Sequence, residues 1–326
     1  MAKPKVAFYW CSSCGGCEET VVDLNEDILK VTEAVDIVMW PVAMDFKKKD
    51  IEAIPDGEIA VAFINGAIRL SEQEEMAKLL RRKAGLVVAF GACAHLGGIP
   101  GLANFNTRES IFQRAYLEVP SVDNPSGILP QEKTTVDGVT LTLPAFFDTV
   151  KTLDQTIPVD YSLPGCPPPP NLIADAVNAI LSGKLPPKGA VLAPAKALCD
   201  TCPRNASKPD KISIKEIKRP YQIKIDPEKC FLLQGLFCMG PATRSGCGET
   251  CIKANMPCRG CFGPVDGVLD QGGKAASVMA SLLGLDTEEK MDEADINRLL
   301  DSIADPAGTY YRFSLAASIL RRKKME

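Results

Sequence analysis

The sequence predicts an α/β protein, a parallel sheet with helices on both faces followed by a smaller, irregular, cysteine-rich part with few helices. Three observations carry this. Over residues 1–185 short apolar runs alternate with helix-patterned segments. Past Pro186, Pro187 and Pro194 that periodicity nearly vanishes. Six of the thirteen cysteines then crowd between Cys230 and Cys261.

The elements follow in order. Val6 to Trp10 is a short apolar run and reads as a buried strand. A helix is expected from Glu18 to Lys30, a second strand over Val35 to Met39, and a third over Ile59 to Ile64 ending at Asn65-Gly66. Ser71 to Lys83 carries Met76, Leu79 and Leu80 at helical spacing, with Ser71 placed as the N-cap. Gly85 to Phe90 is a fourth strand. From Gly101 to Pro144 few periodic signals occur, as in a surface insertion. A hairpin is expected there at Asp137-Gly138, with Val139, Leu141 and Leu143 alternating on its second arm. Asp160 to Leu163 is a last strand and Leu172 to Leu181 a helix. Repeated βα units imply a parallel sheet.

The remainder divides into residues 186–285, whose sparse apolar pattern calls for a metal or cluster staple, and a helical tail over 286–326. In the tail Asp286 and Glu289 make a capping signal. Ile296, Leu299, Leu300 and Ile303 form one face, and Arg321-Arg322-Lys323-Lys324 reads as a solvated end. The net charge of −4 gives no nucleic-acid footprint, and no run of 18 apolar residues marks a membrane span. The apolar stretch after Lys5 is too short for a signal peptide, so a cytoplasmic setting is expected. Thiols stay reduced there, and metal ligation accounts for the cysteines better than disulfides do.

Twelve cysteines sort into three sets of four: Cys14, Cys17, Cys93 and Cys166; Cys199, Cys202, Cys230 and Cys238; Cys247, Cys251, Cys258 and Cys261. Four thiolates are what one 4Fe–4S cluster needs, so three sets read as a relay for electrons. The first set lies just past the carboxyl ends of predicted parallel strands, the edge where open α/β sheets bind ligands. Gly15, Gly16, Gly91 and Gly165 let backbone approach a bulky group there. The other two sets are local, and spacing alone lets Cys238 and Cys247 trade places. A tetrahedral zinc site is the competing account of Cys199 to Cys238. Cys11 mimics a ligand in Cys11-x-x-Cys14-x-x-Cys17, but reads better as a free buried thiol. His95, the only histidine, reads as structural or cluster-adjacent. Glu18 and Glu19 read as charges on a helix start, with an interface or proton path as the minority reading. No phosphate loop, dinucleotide fingerprint or nucleophile triad occurs, so this chain holds no catalytic residues and bond-making chemistry belongs to a partner subunit.

Cys14-Gly15-Gly16-Cys17-Glu18-Glu19, Gly91-Ala92-Cys93, Leu163-Pro164-Gly165-Cys166-Pro167, Cys238-Met239-Gly240-Pro241, Cys247 and Pro257-Cys258-Arg259-Gly260-Cys261 together resemble the small subunit of NiFe hydrogenases. The resemblance implies a flavodoxin-like first domain whose proximal 4Fe–4S cluster, on Cys14, Cys17, Cys93 and Cys166, faces the nickel–iron site of a large subunit. It implies a distal cluster on Cys199, Cys202, Cys230 and Cys238, and a medial one on Cys247, Cys251, Cys258 and Cys261. Many members have histidine in place of Cys199 and proline in place of Cys251. Cysteine at both positions implies three 4Fe–4S clusters here. Pro100 to Asn104, Asn124 to Gly127, Asp200 to Asn205 and Asp305 to Phe313 resemble the methyl-viologen-reducing type. That type implies partnership with heterodisulfide reductase through a small iron–sulfur subunit, in the setting of methanogenesis. Deazaflavin- and NADP-reducing hydrogenases are the neighbouring alternatives, a related redox one is the quinone-oxidoreductase subunit that shares the first domain but lacks the second and third cysteine sets, and a structural zinc protein is the non-enzyme one.

Overall fold

A computed structural model describes residues 3–283 and 293–321. The chain begins with β1 (Lys5–Trp10), α1 (Gly16–Val22), α2 (Asp27–Ala34), β2 (Asp36–Met39) and α3 (Lys48–Ala53). It continues through β3 (Ile59–Asn65), β4 (Ile68–Leu70), α4 (Ser71–Lys83), β5 (Ala84–Phe90), α5 (Gly91–Leu96) and α6 (Arg108–Gln113). Next come β6 (Lys133–Val136), β7 (Val139–Thr142), β8 (Phe146–Lys151), β9 (Tyr161–Leu163) and α7 (Pro170–Leu181). Then α8 (Leu198–Thr201), α9 (Thr250–Lys253), α10 (Gln271–Leu282), α11 (Glu293–Asp301) and α12 (Pro306–Tyr310) follow.

Five strands form one parallel sheet in the order β2-β1-β3-β5-β9. Counting these five along the chain, the order is 2-1-3-4-5, the flavodoxin-like doubly wound arrangement. Adjacent residues of one strand serve opposite cores. Ala7, Ile64 and Ala89 pack with Met76, Leu79 and Leu80 of α4. Phe8, Phe63 and Phe90 pack with Val21 of α1 and Ile173 of α7. Strands covered on both faces must read as unbroken apolar runs, which is why β1, β3 and β5 were legible.

Several expectations need correction. The helix expected over Glu18 to Lys30 is two helices, because Asn25 adopts a left-handed φ of 52° between α1 and α2. Asparagine tolerates that conformation better than most residues. Ser71 is the first residue of α4 and not its cap. Its hydroxyl accepts from Ala145 N at 2.9 Å, while Gln73 Oε1 reaches back to Leu70 N at 3.0 Å. The antiparallel pair β4–β8 went unread because a three-residue strand shows no period. The hairpin does turn at Asp137-Gly138, both with positive φ. Its apolar residues nevertheless face outward, with Val139 60% exposed.

The cysteine-rich part has a core of its own: Leu198, Phe231, Leu236, Met239 and Ile252 pack against Ala275 and Met279 of α10. Asp270 Oδ1 accepts from Gly273 N at 2.8 Å and starts that unanticipated helix. The proline-marked segment lies along β9, with Leu192 N donating to Ser162 O at 2.8 Å. In the tail Ile303 is buried but Leu300 is 49% exposed. The expected cap at Asp286 and Glu289, and Arg322 to Lys324, lie outside the described residues. The chain then returns to the first part. Gly98 N donates to Phe313 O at 3.0 Å and Gln155 Nε2 to Ala316 O at 2.8 Å, bracing the loop behind Cys93.

Candidate iron–sulfur sites

The sheet brings the first cysteine set together at its carboxyl edge. Cys14 lies in the loop after β1, Cys17 on α1, Cys93 on α5 after β5, and Cys166 after β9. Cys17 and Cys93 are buried, while Cys14 and Cys166 are exposed. Burial first, then the charges of Cys93, Cys166, Cys14 and Glu18, push the Cys17 thiol upward. Cys93 is pushed up to about 12 by burial, then by Cys166 and Cys14. Each thiolate is thus felt by the others, and the four are electrostatic neighbours. Ala92 N donates to Gly165 O at 2.6 Å and Thr20 Oγ1 to Pro168 O at 2.9 Å, tying the loops together. The cradle leaves no spare room: a Cβ on Gly91 would meet Cys17 Sγ at 2.3 Å.

Glu18 and Glu19 stand in the first turn of α1, as expected, but Glu18 does more than favour the helix start. It is 1% exposed, and Trp40 Nε1 and Asn65 Nδ2 donate to its carboxylate. Asn65 Oδ1 in turn accepts from Ser13 Oγ at 2.9 Å. Ser13 Oγ accepts from Gly15 N at 3.3 Å. This chain of bonds shapes the loop that presents Cys14 and Cys17. The sequence reading missed Asn65, although a polar residue closing an apolar strand beside Gly66 was a usable signal.

The second set lines one pocket: Cys199, Cys202, Cys230 and Cys238 share it with Arg204, Lys208, Phe231 and Gly240. The third set also gathers. Cys258 is pushed up to about 12 by burial, then by Cys261 and Cys247. Cys261 reaches about 12 by burial, then through Cys166, Cys247 and Cys251. In space, therefore, Cys238 stands with the second set and Cys247 with the third. Two contacts join the sets in series. The backbone N–H of Cys166 faces Cys261, linking first to third. The backbone N–H of Cys258 faces Cys238, and Met239 N donates to Cys258 O at 3.0 Å, linking third to second.

The donor chemistry fits iron–sulfur clusters. Thiols held this far above neutrality stay protonated until a cation takes the proton's place, so assembly must release protons. Backbone N–H groups already point at sulfur: Ile99 to Cys93, Gly240 to Cys238, Glu249 to Cys247 and Gly260 to Cys258. Such donors tune a bound cluster's potential. Among the described residues, no three His, Cys, Asp or Glu donors converge on a single-ion site.

Cys11 stands apart. It packs in the core with Ile64 and Met76, and burial alone, with no second thiol, raises its pKa. His95 lies two residues past Cys93 on α5, and burial holds it down to about 4, neutral at pH 7.

Residues 14–180 match the family described as NADH ubiquinone oxidoreductase, 20 Kd subunit. Over 322 residues, 98% of each chain, the sequence is 40% identical to an iron–sulfur subunit of the F420-non-reducing hydrogenase of Archaeoglobus profundus. It is 36% identical to the corresponding subunit of the F420-non-reducing hydrogenase of Methanothermobacter thermautotrophicus, over 98% of this chain and 97% of the relative. The NiFeSe hydrogenase of Desulfovibrio vulgaris Hildenborough shares the fold, with a TM-score of 0.51 at 18% identity. That likeness covers 82% of this chain and 95% of the other.

Proposed function

The chain belongs to the NADH ubiquinone oxidoreductase, 20 Kd subunit family and within it to the hydrogenase small subunits, and from that membership we propose that it relays electrons through three 4Fe–4S clusters. It is an electron-transferring subunit of an oxidoreductase whose catalytic site lies in the large subunit. In this reading Cys14, Cys17, Cys93 and Cys166 hold the proximal cluster. Cys247, Cys251, Cys258 and Cys261 hold the medial one, and Cys199, Cys202, Cys230 and Cys238 the distal one. The observation that carries it is the series of contacts first to third to second, Cys166 beside Cys261 and Cys258 beside Cys238. A relay needs its members in line, and this line starts where Cys14 and Cys166 reach the surface.

Each cluster, when bound, takes up and gives back one electron. The protein holds the thiols, directs N–H groups at sulfur, and keeps Cys17, Cys93, Cys230 and Cys258 away from water. The exposed edge of the first set is where the large subunit would dock and complete that exclusion. Relatives named F420-non-reducing favour the methyl-viologen-reducing type over a deazaflavin-reducing one. Electrons would then leave through a small iron–sulfur subunit toward heterodisulfide reductase, in the cytoplasm. No helix among the described residues is long and apolar enough to cross a membrane.

Anaerobically purified chain is expected to hold about twelve iron and twelve acid-labile sulfide. Elemental analysis showing two or three zinc and almost no sulfide would sink the proposal. Cys251→Pro is expected to leave three thiols at the medial site and convert it to a 3Fe form of higher potential. A new paramagnetic signal in the oxidised state, with about one iron lost, is the readout. An unchanged spectrum and iron count would remove Cys251 from the ligands.

A further inference from the structure

The pocket of the second set holds two cationic side chains beside its four thiols, Arg204 and Lys208. Arg204 is 5% exposed. Its guanidinium donates to the carbonyls of Asp226 at 3.0 Å and Lys229 at 3.1 Å, and to Asn255 Oδ1 at 2.6 Å. It also lies 4.0 Å from the centre of the Phe231 ring. These acceptors are neutral, so none of them offsets the guanidinium charge. The Lys208 ammonium donates toward Cys199 and has Cys230 and Cys202 close by. Among the described residues neither cation forms an ion pair with a carboxylate. Arg204 is buried without a counter-charge, which is costly, and an anionic occupant of the pocket beside it and the half-buried Lys208 removes that cost.

The charged neighbours differ elsewhere along the series. Glu18 stands beside Cys17 of the first set, and Glu249 beside Cys247 of the third. Arg259 lies between Cys258 and Cys261 in the chain, and faces Cys238 as well as Cys258. Lys208, Arg204 and Arg259 thus bring three positive charges to the second set, against the carboxylate of Glu249 there, which accepts from Thr201 Oγ1 at 2.6 Å. An added electron makes a thiolate-bound cluster more negative, so nearby cations favour the reduced form.

We propose that Lys208 and Arg204 raise the reduction potential of the second site and make it the place where a relayed electron comes to rest. The inference rests on the reading that a 4Fe–4S cluster sits there. With clusters bound at both sites, the step would be a single-electron transfer from the third site to the second, with no bond made or broken. Hydrogen oxidation in the large subunit is the ultimate reductant. Lys208 and Arg204 are positioning residues in this scheme. They touch the ligand shell and take no electron themselves.

The test is a reductive titration of the complex with its large subunit, followed by electron paramagnetic resonance, for the parent, Lys208→Met and Lys208→Arg. The parent should show three cluster transitions. Lys208→Met should lower the highest of them, cutting its reduced-to-oxidised ratio at the parent midpoint about tenfold, or ~59 mV for one electron. Lys208→Arg should restore that midpoint, with iron and sulfide unchanged in both variants. Three unmoved midpoints at full iron content would overturn the inference. So would a shift confined to a different transition. Loss of about four iron from Lys208→Met would make Lys208 a residue that retains the cluster, and would equally overturn it. A parent without sulfide would instead fail the cluster reading itself, and this inference with it.

Discussion

Cys17→Ser is expected to remove about four of the twelve iron atoms and to reduce hydrogen-dependent methyl-viologen reduction to background. Cys17 is 7% exposed, and Cys14, Cys93 and Cys166 all act on it. Its replacement therefore removes the thiol at the centre of the set, a ligand in the proposed reading. A serine hydroxyl ionises far less readily than a thiol and is a poor substitute for thiolate. In the proposed relay the first set is the entry, so its loss would uncouple the large subunit from the other two sites. Cys11→Ser is the matched control. Cys11 is equally buried but packs against Ile64 and Met76 and away from the other thiols, so all three clusters should survive. Loss of the proximal cluster from Cys11→Ser, with Cys17→Ser fully loaded, would reverse the assignment.

Gly91→Ala should produce the same loss without touching a ligand. Gly91 opens α5 at φ +83°, where an added Cβ would stand 2.3 Å from Cys17 Sγ. The Gly91 backbone is held at the end of β5, so the Cys17 sulfur is the partner that must move. Left-handed backbone costs an alanine roughly 1–2 kcal/mol by itself. The collision adds to that and displaces the sulfur from its cluster position. Gly57→Ala separates the two effects. Gly57 has φ +76°, and a Cβ added there would have nothing within 4 Å, so it carries the strain without the collision. Thermal unfolding should show the backbone penalty alone for Gly57→Ala and a larger loss for Gly91→Ala, and iron analysis should show the loss for Gly91→Ala alone. Full iron in both would mean that the cradle relaxes and that the close approach has no role.

Both expectations depend on features of different legibility. Apolar runs at Val6 to Trp10, Ile59 to Ile64 and Gly85 to Phe90 were visible because each strand is buried on both faces. The α4 helix was visible because Met76, Leu79 and Leu80 recur at the helical period against the sheet. The cysteines were visible as a chemistry, since thirteen thiols in one chain need an explanation that packing does not supply. Short or irregular elements were hidden. β4 is three residues long, and α10 begins Gln271-Gly272-Gly273, where small residues blur the apolar face.

What the sequence by itself determined is thus local. It specified the long buried strands and the α4 helix, which residues carry thiols, and that the thiols of the second and third sets are close along the chain. What only the tertiary structure decided is which distant residues meet. The sheet order β2-β1-β3-β5-β9 brings Cys14, Cys17, Cys93 and Cys166 to one edge. The third set, last in the chain, lies between the other two because Cys261 packs against Cys166 and Cys258 against Cys238. Asn65 and Trp40 meet Glu18, and Lys208 meets Cys199, for the same reason. Periodicity reports the environment of a residue a few positions at a time, whereas these meetings are set by how whole elements pack. They are fixed by burial and backbone hydrogen bonding summed over the fold, and no local pattern encodes them.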